Sequence, residues 1–201
     1  MKKTLLLTAL CGMLSCHTQA DTTIRWGNTS TNGDFQVLNN DDITPLGRGA
    51  DGIGCLVQLI YTPDGNADPV NLSDPYGVSG DDSLLAYAWI GRAVAPSEGN
   101  GLFIGSNVFA SVALNSAVYI RAWNLPSSQA GTGYIPTNAN YYGNSYIYNT
   151  QNSNPTLFDE FYLTEGFSTD IQAVPEPATL ALAFTAIGFF VIKRLRRKKD
   201  D

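Results

Sequence analysis

Residues 21–173 of this 201-residue chain predict an all-β fold, an antiparallel sandwich of jelly-roll type. Three observations predict it. The segment is rich in Gly, Asn, Ser, Thr and Tyr, with short apolar runs set between turn clusters. Val118-Tyr-Ile-Arg-Ala-Trp123 alternates cleanly, placing Val118, Ile120 and Ala122 on one face and Tyr119, Arg121 and Trp123 on the other. No stretch of the segment sustains a capped pattern of helical period.

The expected strands follow in order. Thr22–Trp26 and Phe35–Leu38 come first, then Cys55–Thr62, whose Leu56-Val-Gln-Leu-Ile60 run reads as buried on both faces. Leu84–Val94, Leu102–Ile104, Val108–Leu114 and Ala117–Trp123 succeed it, and Tyr146–Asn149 and Glu160–Thr164 close the set. Asn32-Gly33, Asp51-Gly52, Asp64-Gly65 and Asn100-Gly101 mark turns, because Asn and Gly tolerate the backbone that tight turns demand. The connection from Pro126 to Thr156 is long and polar, an extended or loosely ordered loop.

Outside this domain the two ends carry signals of their own. Residues 1–20 open with Met1-Lys2-Lys3, continue through the apolar run Thr4 to Leu14 and finish on Thr18-Gln19-Ala20. That is the layout of a signal peptide for the Sec translocon and signal peptidase, cleaved after Ala20. Leu14-Ser15-Cys16 also offers a second reading, a lipoprotein signal with Met13 in the place of the usual Leu. The apolar run is too short to cross a bilayer.

Residues 174–201 divide into Val174-Pro-Glu-Pro177, the apolar segment 178–192, and a basic tail over 193–201. As a helix the apolar segment is about 22 Å long, short of a hydrocarbon core of about 30 Å; snorkelling lysine and arginine can make up the difference. Lys193, Arg194, Arg196, Arg197, Lys198 and Lys199 flank it on one side, and the positive-inside rule keeps them cytoplasmic. The domain is thereby expected outside, where the leader also sends it.

This ordered set of Pro-Glu-Pro, short transmembrane helix and basic cluster resembles the PEP-CTERM sorting signal of Gram-negative bacteria, a tail also labelled an ice-binding protein C-terminal domain. The resemblance covers residues 174–201 only. It implies recognition of Pro175, Glu176 and Pro177 by an exosortase, a membrane transpeptidase-like enzyme, in an organism that makes exopolysaccharide. Val118-Tyr-Ile-Arg-Ala-Trp-Asn124, Gly80-Asp-Asp82 and Tyr141-Tyr-Gly143 loosely resemble domains that accompany such tails; no activity comes with that likeness.

Composition narrows the chemistry. The chain has a formal net charge of −6, but residues 21–173 hold 15 acidic and 4 basic residues, a net of −11, with no lysine. A surface so acidic offers no Lys/Arg footprint for phosphates, so nucleic-acid binding is excluded. The single histidine, His17, lies in the leader, which removes imidazole-based nucleophilic catalysis and imidazole-ligated metals from the domain. Without lysine there is neither a Ser-Lys dyad nor a Schiff base. With the leader gone, Cys55 is the one cysteine left, so no internal disulfide forms, and its apolar surroundings suit a buried thiol.

Carboxylates remain. Asp81, Asp82, Glu98, Asp159, Glu160 and Glu165 are available for a glycosidase pair, though nothing in their spacing distinguishes them from solvated turns. The expectation is a protein without enzymatic activity. Asp64-Gly-Asn-Ala-Asp68 sets Asp64, Asn66 and Asp68 at alternate positions, like the opening of a calcium loop. Pro69 stands where that loop needs Gly and Pro75 where it needs Glu, which excludes an EF-hand. A structural Ca2+ held by some of Asp41, Asp42, Asp64, Asn66, Asp68, Asp81 and Asp82 stays open beside plain acidic turns. Tyr134, Tyr141, Tyr142 and Tyr146, set among Asn, Gly and Thr, are candidate carbohydrate contacts; the bland alternative places Tyr146 and Tyr148 on a strand. The function expected is a sorted envelope or matrix protein associated with exopolysaccharide. A calcium-dependent carbohydrate-binding or adhesion module is the alternative. A glycoside hydrolase and an ice-binding protein rank lower, the latter because Thr-x-Thr ladders are missing.

Overall fold

The computed structural model describes residues 22–30, 33–47, 54–91, 99–105, 108–110, 112, 115–138, 141–151 and 158–173. Among them every regular element is a strand, as expected. In chain order these are β1 Thr22–Gly27, β2 Thr29–Ser30, β3 Gly33–Asp34, β4 Val37–Leu38, β5 Leu56–Thr62, β6 Ser83–Trp89 and β7 Val108–Ala110. After them come β8 Ala117–Trp123, β9 Tyr141–Asn144, β10 Tyr148–Asn149, β11 Phe158–Tyr162, β12 Phe167–Ser168 and β13 Ile171–Gln172. The signal peptide and the sorting tail, with Pro175, Glu176, Pro177 and the flanking basic residues, lie outside the described residues. Among the described residues no helix is long and apolar enough to cross a membrane.

The larger sheet runs β13-β9-β8-β5-β6, with β10 also pairing β8, and each of its pairings is antiparallel. A second sheet runs β11-β1-β7. Here the antiparallel expectation needs correcting, since β1 lies parallel to β11, as β4 does to β12. Parallel neighbours cannot be joined by a hairpin; β1 and β11 come from opposite ends of the domain and need none.

Strand β5 pairs β6 and β8, so its register fixes which side chains share a face. Val57 faces Ala122 and Ala88, and Leu59 faces Ile120 and Ala86. These side chains meet Ile24, Trp26 and Phe161 of the second sheet in one buried cluster, which is the main core. The alternation expected for β8 therefore holds: Val118, Ile120 and Ala122 enter this core. The register of β5 against β6 shifts after Leu59, where a bulge takes up one residue.

The opposite face of the larger sheet is covered too. All seven residues of β8 are buried, as are all but one of β5. Leu56, Gln58, Tyr119, Arg121 and Trp123 lie beneath the connections 63–82 and 124–138 rather than in water. Several expected boundaries move. Leu102–Ile104 is no strand but a single bridge, Ile104 to Gly27, because the buried Asn28 side chain takes the Phe103 N–H at 2.7 Å. Part of the long polar connection is sheet: β9 and β10 dock one after the other along β8.

Candidate functional site

The covered face gathers the polar chemistry of the domain. Gln58 interrupts an apolar strand and is fully buried, so its amide must find partners inside. Its Nε2 donates to the carbonyls of Tyr76 at 2.8 Å and Gly133 at 3.0 Å, while its Oε1 accepts from Trp123 Nε1 at 2.8 Å. One side chain thus ties two loops that are remote in sequence to the sheet beneath them.

Beyond these loops a cavity of about 490 Å³ opens between residues 72–75 and 134–138. Leu72, Pro75, Tyr134 and Pro136 give it apolar walls, and Asp74 and Asn138 supply polar groups. Its base is stitched by Ile135 N–H donating to the Pro75 carbonyl at 2.8 Å and by the Tyr76 and Tyr134 rings, edge to face at 5.1 Å. Asp74 Oδ1 accepts from the backbone N–H of Tyr76 at 2.8 Å and of Val78 at 3.3 Å, which fixes the first wall. Gly77, at φ 72°, brings the backbone so close to Ile135 and Trp123 that a Cβ would lie 2.7 Å and 3.1 Å from their side chains.

Only one of the four candidate tyrosines reaches this groove. Tyr134 lines it. Tyr142 is buried against Trp123, ring to ring at 5.6 Å, and Tyr146 packs edge-on to Phe161 while its hydroxyl donates to the Tyr162 carbonyl. Tyr141 sits on β9, paired with Gln172. The sequence grouped these residues by proximity along the chain; strand alternation disperses them.

Beneath the same connection lies Arg121, fully buried. Its Nε donates to Asn144 Oδ1 at 2.9 Å, Nη1 to the Gly77 carbonyl at 3.1 Å, and Nη2 to the Asp68 carbonyl at 2.7 Å and the Tyr119 hydroxyl at 2.8 Å. Tyr142 and Tyr119 present their rings to the guanidinium at 5.1 Å and 5.3 Å. The Tyr119 hydroxyl donates in turn to Asp82 Oδ2 at 2.7 Å. Burial raises the Tyr119 pKa, and the hydrogen bond to Asp82 adds to that shift although Arg121 opposes it.

The three expected calcium ligands make different contacts. Asp64 spends both carboxylate oxygens on its own turn, accepting from Asn66 N–H and Nδ2 and from Thr62 Oγ1, and the Asn66 bonds hold its pKa below 3.8. Asp68 instead joins Asp81 and Asp82, with one carboxylate oxygen of each lying within 4.8 Å of the others. Asp41 is likewise consumed locally, by Thr44 and Ile43, which lowers its pKa. Of the glycosidase candidates, Asp159 is buried and accepts from Tyr148 at 2.5 Å and from Gln151 N–H at 2.9 Å, whereas Glu160 points to solvent, 3.8 Å from Arg25. Glu98 lies outside the described residues.

Sequence reasoning passed over Gln58 and Arg121 as organisers. Their signal was present, a polar side chain within each of the two most apolar strands. Comparison with protein-family models, curated proteins and solved structures gave no match.

Proposed function

We propose that this chain is an exported surface protein without enzymatic activity, whose domain, a jelly-roll-like sandwich, holds exopolysaccharide in the groove at Tyr134. The observation that carries the reading is the groove itself. Its volume lies in the range of small-ligand sites, and it sets an aromatic ring and two prolines beside carboxylate and amide groups. Apolar ring faces stack on the C–H faces of a sugar, and the polar groups bond its hydroxyls. Among the described residues nothing cationic lines the groove, which suits a neutral sugar better than a phosphorylated one.

Export and sorting rest on the two chain ends: the Sec translocon and signal peptidase act on the leader, and an exosortase reads Pro175, Glu176 and Pro177. The protein then passes from a membrane-anchored precursor to the cell envelope or matrix of a Gram-negative bacterium. Two measurements test the whole. The mature protein recovered from its host should be retained on that host's exopolysaccharide, and Tyr134→Ala should abolish retention while the protein stays folded, with a cooperative melting transition. In the same host Glu176→Gln should leave the precursor unprocessed; normal mass and location in this variant would refute sorting.

A further inference from the structure

The strongest unassigned feature is the acidic triad at the neck of the 68–82 loop. Asp68 is half-buried, Asp81 is exposed, and Asp82 is 8 % exposed. Three carboxylates so close repel one another unless a positive charge lies among them. Arg121 is adjacent, but it donates to the backbone carbonyl of Asp68 and to the Tyr119 hydroxyl, so its hydrogen bonds bypass the carboxylates.

A second observation is independent of the clustering. Asp82 uses Oδ2 twice, accepting from Asp68 N–H at 3.0 Å and from Tyr119 at 2.7 Å. Its other oxygen, Oδ1, is buried and has no hydrogen-bond partner among the described residues. An unpartnered carboxylate oxygen in such a place loses its hydration with nothing in return. A cation supplies what is lost.

We infer that Asp68, Asp81 and Asp82 form a binding site for a divalent cation of calcium size, which fastens the two ends of the 68–82 loop. Calcium–oxygen distances of about 2.3–2.6 Å place opposed ligands about 5 Å apart, and oxygens within 4.8 Å of one another fit around one such ion. Magnesium demands tighter, near-octahedral packing and keeps its waters, so it fits less well. Gly80 admits the arrangement: a Cβ there would lie 1.8 Å from Asp68 Oδ2, so any other residue would push that carboxylate out of the cluster. The remaining ligands of a seven- or eight-coordinate ion come from water and backbone oxygens, as is usual for calcium. The tip of the same loop, residues 72–75, is one wall of the groove, so an ion at the neck sets the position of that wall.

The site stands apart from the carbohydrate reading, because its test needs no sugar. Thermal unfolding of the full-length protein is followed in EGTA, then with calcium or magnesium added, and calcium binding is titrated by calorimetry. Calcium should raise the melting temperature by several degrees and magnesium should do much less. Asp81→Asn, at an exposed position, should melt in EGTA no lower than the parent, since one repelling charge is gone, and weaken calcium binding about tenfold or more. Asp82→Asn also perturbs the bond from Tyr119, so Asp81→Asn is the deciding variant. Asp64→Asn should leave calcium binding unchanged. The inference is overturned if calcium produces neither heat nor a shift, if Asp81→Asn binds as the parent does, or if Asp64→Asn abolishes binding.

Discussion

Tyr119 hands a hydrogen bond to Asp82 at 2.7 Å while accepting one from Arg121 at 2.8 Å, so a buried cation and a buried anion communicate through a phenol without touching. Removing the hydroxyl deprives both at once. Tyr119→Phe should cost about 2 kcal/mol of stability, since charged partners are left short of a bond inside the protein. Urea unfolding of parent and variant measures it. The phenol's pKa stands above its ordinary value of 10.0, so its contribution is whole below that pH and is lost only as pH climbs through the raised value. Ultraviolet titration of the native protein should accordingly leave Tyr119 un-ionised at a pH where exposed tyrosines have titrated.

Gln58 makes three hydrogen bonds, to Tyr76, Gly133 and Trp123, and each fixes a part of the groove's foundation. Gln58→Met keeps the length of the side chain and deletes all three. At about 1 kcal/mol for each bond the loss should approach 3 kcal/mol. Hydrogen exchange should quicken at Ile135, whose amide joins the two loops above it, and exchange unchanged there would remove Gln58 from its role as a clamp.

Gly143 lies on β9 where the Ser168 carbonyl crosses it, and a Cβ would come within 1.9 Å of that oxygen. The obstacle is backbone, which cannot swing aside. Gly143→Ala should therefore push β12 away from β9 and lower the melting temperature by several degrees, although alanine is the better strand residue in isolation. Calorimetry of the single variant is enough to check this.

Cys55 is 7 % exposed, its thiol near the Gly47 carbonyl at 3.5 Å. Burial pushes its pKa up to about 11 from 9.0, so at pH 8 almost no thiolate exists. Iodoacetamide should leave Cys55 of the native protein unmodified at that pH and label it fully in urea. Stability linked to this thiol is complete below pH 9 and declines as pH rises from there toward 11. Prompt labelling of the folded protein would contradict the burial.

The strands that sequence revealed best are those where side-chain alternation and a shared core agree, β5 and β8 above all. The run Leu56–Ile60 was legible as doubly buried because nothing in it suited water except Gln58, and Gln58 proved to be fastened inside. β9 was illegible for the opposite reason. Tyr141-Tyr-Gly-Asn144 has no β-branched residue, and its glycine answers to a carbonyl about 25 residues away, which no local window contains. The aspartates divide in the same way. Spacing placed Asp64, Asn66 and Asp68 together, yet short polar side chains close their own turns first, and Asp64 did so. Asp68 found its partners after fourteen residues of loop had brought the chain back.

The parallel pairing of β1 with β11 imposes an order on folding. Thr23 meets Phe158 and Gly27 meets Tyr162, so a strand made at the start of the domain waits for one made near its end. Contacts so distant in sequence form slowly, because a long loop must close before they contribute anything. Until then β1 presents an unpaired edge to any neighbouring chain. Nascent protein halted before residue 158 would carry that edge, with Ile24 and Trp26 uncovered beside it, into whatever crowd of copies surrounds it. The last strands thus serve the first as a built-in seal, and their late arrival makes the interval before closure the molecule's hour of greatest stickiness.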